Sequence, residues 1–228
     1  MKYLYANGDS WTHGDEIPDR VDMNSASIRY YNTWPWFLSQ NLNIPVCVND
    51  AQGGASNARI FRRTNDFINN WLGSGKDPKD LFICIGWTSP ERSEVSSGQG
   101  IYSVTIQHCL RLHNLPVDEK SLKKYHEAFY ENYTDSYGEH ITAMYMVNLR
   151  LLCKGLGIRY YDFIAVGKPP YHWQEVIKKK WNLEIENMYL KSSWLEDVFK
   201  KDLPVYQYKH PKIETHKIWA ETISEEIK

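Results

Sequence analysis

Four separated stretches of this 228-residue chain carry groups suited to nucleophilic chemistry on an acyl carbon. The first is Asn7-Gly8-Asp9-Ser10-Trp11-Thr12. A serine placed where a strand gives way to a helix has backbone N–H groups beside it that can stabilise an anion. The plain alternative is a serine that only caps the helix. The second stretch is Asn49-Asp50-Ala51-Gln52-Gly53-Gly54-Ala55-Ser56-Asn57. Paired glycines let backbone approach a ligand closely, with the N–H of Gly54 available to an oxyanion, or they make a tight turn. No Gly-x-x-x-x-Gly-Lys-Ser/Thr pattern is present, so a phosphate loop fits less well. The third is Gly86-Trp87-Thr88-Ser89-Pro90-Glu91-Arg92, where Thr88 offers a hydroxyl donor or ends a strand. In the fourth, Gln207-Tyr208-Lys209-His210-Pro211, His210 is a base or a helix-capping surface residue. His13 and Asp15 follow Ser10 closely and line the same cleft or an exposed loop. Asp9 reads as a hydrogen-bonding support for the Ser10 loop.

The elements that must position these residues are legible from periodicity. Short apolar runs at 2–6, 45–49, 81–86 and 158–164 suit buried strands of a parallel sheet. From Ser56 onward, Ile60, Thr64, Phe67, Ile68 and Trp71 recur at helical spacing, with Ser56 or Asn57 as N-cap. A second helix over 139–154 places Ile141, Met144, Tyr145, Leu149 and Leu152 on one face, stopped by Gly155 and Gly157. The last helix is expected to start near Pro211, with Ile213, Trp219, Ala220, Ile223 and Ile227 inward. Alternating strands and helices imply an α/β, doubly wound, mostly parallel sheet. Such folds hold their sites beyond the carboxyl ends of the strands, where the first three stretches fall, and the fourth immediately precedes the last helix. Residues 1–228 read as one domain, with insertions at about 90–135 and 166–205.

Composition narrows the classes. Twenty-seven basic and 28 acidic residues leave a net charge of −1, so nothing draws the chain to nucleic acid or an anionic membrane. No apolar run approaches the roughly 18 residues that span a bilayer, and the N-terminal apolar stretch is too short for a signal-peptide core. Cys47, Cys84, Cys109 and Cys153 form no Cys-x-x-Cys pair and no zinc spacing, which favours reduced thiols in a cytoplasmic protein. His108, His113, His126, His140 and His172 lack metal-like spacing, and Lys178-Lys179-Lys180 reads as a solvated face. Aromatic residues make up 14 % of the chain. They pack a core or, as Trp34, Trp36 and Trp87, rim a cleft for a flat or sugar-like ligand.

Taken in order, the four stretches resemble the blocks of the SGNH, or GDSL-type, hydrolases. Gly8-Asp9-Ser10 resembles the block that carries the nucleophile. Gly54 resembles the oxyanion glycine, Gly86-Trp87-Thr88 occupies the third block, and His210-Pro211 with His216 and Trp219-Ala220 resembles the block that carries the histidine. The resemblance implies a three-layer α/β/α, flavodoxin-like fold. It implies Ser10 and His210 as catalytic pair, an oxyanion hole from Ser10, Gly54 and Thr88, and no metal or organic cofactor.

Two positions depart from the family pattern. Thr88 stands where an asparagine amide normally donates to the oxyanion. Gln207 stands where the aspartate of Asp-x-x-His normally orients the imidazole; loss of such an aspartate's charge costs about 10⁴ in a serine protease. Gln207, a backbone carbonyl or another carboxylate such as Asp202 then orients His210. The expected activity is hydrolysis of a carboxylic ester of a small molecule or glycan, for example an acetylated carbohydrate. A binding protein on the same fold and an acyltransferase are the alternatives.

Overall fold

The structure is a computed structural model that describes residues 1–18, 29–97, 100–104, 124, 128, 131, 133–167 and 193–227. Four strands, β1 (Tyr3–Asn7), β2 (Val46–Asn49), β3 (Leu81–Trp87) and β6 (Arg159–Ile164), form one sheet in the order β2-β1-β3-β6. Every pairing in it is parallel. A second, two-stranded antiparallel ribbon joins β4 (Ser93–Ser97) to β5 (Gly100–Val104), inside the first expected insertion. The described helices are α1 (Ser10–His13), α2 (Trp34–Asn41), α3 (Asn57–Gly73), α4 (Asp135–Leu156), α5 (Trp194–Lys200) and α6 (Ile213–Glu226), with short 3₁₀ turns at Tyr30–Asn32 and Pro78–Asp80. Residues 105–123 and 168–192 of the two insertions, with Cys109, His108, His113, His172 and Lys178–Lys180, lie outside the described residues, as does His126.

The alternation of strand side chains divides the core in two. Tyr5, Ile83, Ile85 and Trp87 pack on one face with Ile60 and Ile68 of α3 and Met146 and Leu149 of α4. Leu4, Ala6, Phe82 and Cys84 pack on the other with α2, α5 and α6. This is the expected three-layer α/β/α architecture. The aromatic content resolves as core: Trp34 and Trp87 are fully buried, which removes them from any cleft rim, and Trp36 is half-buried. Trp194 stacks on Trp219 at 5.2 Å, and Phe163 meets Trp219 edge-on at 5.2 Å. Each side chain so buried contributes roughly 1.5–3 kcal/mol relative to exposure.

Ser56 caps α3 by accepting from Arg59 N at 3.2 Å, as its position suggests. Gly157, at φ +70°, terminates α4. Two expectations need correction. The buried seam of α4 runs through Thr142, Met146, Leu149 and Cys153, and Met144 is 39 % exposed. Apolar residues cover more than one stripe of this helix, so periodicity alone misplaced the seam by about one position. Pro211 does not begin the last helix. It bridges to Val205, and α6 starts at Ile213 after Lys212.

Candidate active site

The sheet order places a topological switch between β1 and β3. The chain runs from β1 to β2 on one side, then returns to add β3 on the other. In open α/β sheets the loops leaving two such strands diverge, and ligands bind in the crevice beyond their carboxyl ends. Ser10 leaves β1 there, Gly53 and Gly54 follow β2, and Thr88 to Arg92 follow β3.

Close packing under Ser10 demands glycine. A Cβ on Gly8 would overlap Thr12 Oγ1 and stand 2.9 Å from Gly86 O, so the β1 loop fits against β3 only without side chains there. Asp9 then caps α1, accepting from Trp11 N at 3.0 Å. This wholly buried carboxylate also accepts from the Thr88 hydroxyl at 2.6 Å and from Arg92 Nη1 at 2.9 Å, both on Oδ2. Asp9 therefore fixes the Ser10 loop, as its position suggested. Ser10 itself is 8 % exposed.

The contact to Asp9 changes the reading of Thr88. Its single hydroxyl proton is committed to Asp9, and its N–H donates to Asn57 Oδ1 at 2.9 Å. In this arrangement Thr88 has no donor left for an oxyanion. Gly54 has its backbone at φ +72°, and a Cβ there would meet nothing within 4 Å, so its backbone borders open space. Gly53 is packed differently: a Cβ would overlap Asp15 Oδ2. The loop after β2 thus lies directly against the loop that follows Ser10.

That second loop carries the residue that sequence reasoning missed. Glu16 Oε2 accepts from His210 Nδ1 at 2.7 Å, and the same carboxylate accepts from the backbone N–H groups of Tyr208 at 3.1 Å and His210 at 3.3 Å. Burial favours the neutral acid of Glu16, but these hydrogen bonds and the charge of His210 outweigh it and hold the carboxyl below its ordinary range. A carboxylate can only accept, so Nδ1 carries the proton and the lone pair of the neutral ring is on Nε2. Gln207, the residue expected to orient the ring, is exposed, as is Asp202, and neither side chain bonds His210. The reason is the turn from Tyr206 to His210. It is closed by Tyr206 N to His210 O at 2.8 Å and by Lys209 N to Tyr206 O at 2.9 Å, with Lys209 at φ +66°. Reversing the chain there breaks the register that Asp-x-x-His requires. The only sequence signal for Glu16 is its place in an acidic pair six residues after Ser10.

His13 forms a second imidazole–carboxylate pair, with Nδ1 2.5 Å from Asp15 Oδ1. Burial raises the Asp15 carboxyl, but the hydrogen bond and charge of His13, with the charges of His210 and Arg29, bring it below its ordinary value. Arg29 Nη1 stands 3.4 Å from His13 Nδ1 and 3.5 Å from Nε2. His13 is thus held between Asp15 and Arg29, apart from the Glu16–His210 pair. His216 is fully buried in α6; it accepts from Trp34 N at 3.1 Å, and burial pushes its pKa down to about 3. It serves the core, not the cleft.

Ser10 Oγ and His210 are not hydrogen-bonded to one another here. They are joined through the loop, in which Asp15 N donates to Ser10 O at 3.0 Å and the next residue, Glu16, holds His210. Such contacts often form only with substrate in place. Among the described residues, no three His, Cys, Asp or Glu side chains are grouped to hold a metal ion, and no helix is long and apolar enough to cross a membrane.

The architecture recurs in a solved structure. LAE5, an α/β hydrolase enzyme from the metagenome of Lake Arreo, Spain, aligns over 99 % of this chain and 94 % of its own, with 11 % identity and a TM-score of 0.50. Psychrotrophic esterase EstA from Pseudoalteromonas sp. aligns over 100 % and 97 %, with 11 % identity and a TM-score of 0.49. A member of the lipolytic protein G-D-S-L family from Veillonella parvula DSM 2008 aligns over 98 % and 96 %, with 12 % identity and a TM-score of 0.45. These likenesses are of fold. No curated protein matches the chain. A family model does match, over residues 15–228, and by that match the chain belongs to DUF6071, a family of unknown function, with the α/β/α fold of the SGNH hydrolases.

Proposed function

We propose that the protein hydrolyses carboxylic esters through Ser10, His210 and Glu16. The observation that carries this reading is the His210–Glu16 contact of 2.7 Å, made by the loop that begins at Ser10. Ser10 and Glu16 belong to one short loop that follows β1 at the switch point where α/β folds hold their ligands, which supports grouping the Ser10 hydroxyl with the imidazole that Glu16 holds.

In this mechanism His210 Nε2 takes the Ser10 Oγ proton as the oxygen attacks the acyl carbon. Glu16 holds the ring with Nδ1 protonated and stabilises the imidazolium that forms. The N–H groups of Ser10 and Gly54 receive the developing oxyanion; the first belongs to an opening helical turn and has no intrahelical partner. The imidazolium returns its proton to the departing alkoxide, leaving Ser10 acylated. Water, deprotonated by His210, then attacks the acyl-enzyme, releasing the acid and restoring the Ser10 hydroxyl.

Steady-state hydrolysis of a short-chain aryl ester by the wild type, Ser10→Ala, His210→Ala and His13→Ala tests the reading. The wild type and His13→Ala turn over, and the other two fall to background. Retained turnover in Ser10→Ala refutes the nucleophile, and loss in His13→Ala with retention in His210→Ala transfers the base to His13.

A further inference from the structure

We propose that the Arg92 guanidinium is the third donor to the oxyanion, a catalytic role that sequence reading assigned to Thr88. The inference rests on the ester-hydrolase reading above and deepens it. Three observations meet at this side chain. Thr88 has spent both of its donors, on Asp9 Oδ2 and Asn57 Oδ1. Arg92 Nη1 spans Asp9 Oδ2 at 2.9 Å and Ala55 O at 3.3 Å. Those two partners are the residue before Ser10 and the residue after Gly54, so the guanidinium bridges the loops whose N–H groups flank the oxyanion. Finally, the side chain is 16 % exposed, and its Nε and Nη2 groups form no hydrogen bond among the described residues.

Arginine has five N–H donors on a planar fork, so donors remain after Nη1 has anchored the group. Anchoring to a buried carboxylate fixes the fork in advance, which is what a preorganised oxyanion site requires. A charged donor also binds an alkoxide more strongly than a neutral amide does. The anchor and the donor are then the same residue: Asp9 positions Arg92, and Arg92 meets the charge that develops on the substrate.

The test compares kcat and KM for an aryl ester in the wild type, Ser10→Ala, Arg92→Lys and Arg92→Ala. Arg92→Lys keeps a cation for Asp9 and loses the fork. Its kcat is expected to fall about 10²–10³-fold, the cost of one oxyanion donor, with KM within threefold. In Arg92→Ala, millimolar guanidinium restores part of kcat saturably and ammonium does not; where Arg92→Ala fails to fold, Arg92→Lys decides alone. A kcat for Arg92→Lys within fivefold of wild type, a loss confined to KM, or a folded Arg92→Ala that guanidinium does not rescue overturns the proposal while leaving the hydrolase reading standing. Absence of any Ser10-dependent turnover in the wild type overturns both.

Discussion

Replacing Glu16 by glutamine isolates what its charge contributes. The carboxylate accepts three hydrogen bonds, from His210 Nδ1, His210 N and Tyr208 N. Glutamine retains an acceptor oxygen for the ring but places an NH₂ group where a donor already points, and it removes the negative charge that meets the imidazolium. With charge centres about 4 Å apart, the attraction is about 4 kcal/mol at an effective dielectric of 20. The Glu16 and His210 side chains are 18 % and 21 % exposed, so water screens this pair, and half that value is the better figure. About 2 kcal/mol is roughly 30-fold in rate, and the donor clash extends it toward about 10³. The fully buried aspartate of a serine protease, worth about 10⁴, is the upper bound. The assay is kcat and KM for an aryl ester from pH 5.5 to 9, with thermal unfolding as control. Glu16→Gln is expected to lower kcat by 30- to 1,000-fold at unchanged KM, and Glu16→Asp to recover part of the loss. A kcat within threefold of wild type would refute the role of Glu16, because a carboxylate that only supports the turn has no reason to act through kcat.

Three further outcomes follow from the geometry. Gly54→Ala meets no steric neighbour but must hold φ near +72°, costing about 1–2 kcal/mol in urea unfolding, and tilting the N–H should lower kcat at least tenfold. Arg150→Met strands the buried Asp162 with only Trp87 Nε1 at 2.9 Å and Tyr160 OH at 3.0 Å, so unfolding free energy should fall by about 3–5 kcal/mol in urea titrations. His216 has a folded-state pKa of about 3, well below its unfolded value of 6.5, so the unfolded chain binds the extra proton between them. Stability from keeping this ring neutral is complete above pH 6.5 and declines as pH falls toward 3, by about 1.4 kcal/mol per unit at most. Urea midpoints at pH 7.5, 5.5 and 4.5 should show that slope, and His216→Gln should flatten it.

Much of this arrangement is written in the sequence because it is local. Each sheet strand is an apolar run between turn residues; β1 and β3 end one residue before Gly8 and Thr88, and β2 ends four residues before Gly53. Gly54 and His210 were legible as candidates, the first in a Gly-Gly pair and the second beside a proline. Glu16 was not: its contact with His210 spans 194 positions and depends on how the turn from Tyr206 to His210 folds back. Gln207 failed as its substitute because Lys209, at φ +66°, reverses the chain between them. Thr88 failed as a donor because a hydroxyl has one proton, and only coordinates reveal that Asp9 receives it. Met144 shows the same limit on a helix, where apolar residues on two faces let periodicity choose the wrong one.

The most direct test of the central claim is covalent. Incubation of the intact protein with a fluorophosphonate should add one phosphonyl group, located on Ser10 by peptide mass analysis, abolished in Ser10→Ala and slowed at least 100-fold in His210→Ala. Failure of the wild type to label, or a label on any other residue, would contradict the assignment of Ser10 as an activated nucleophile.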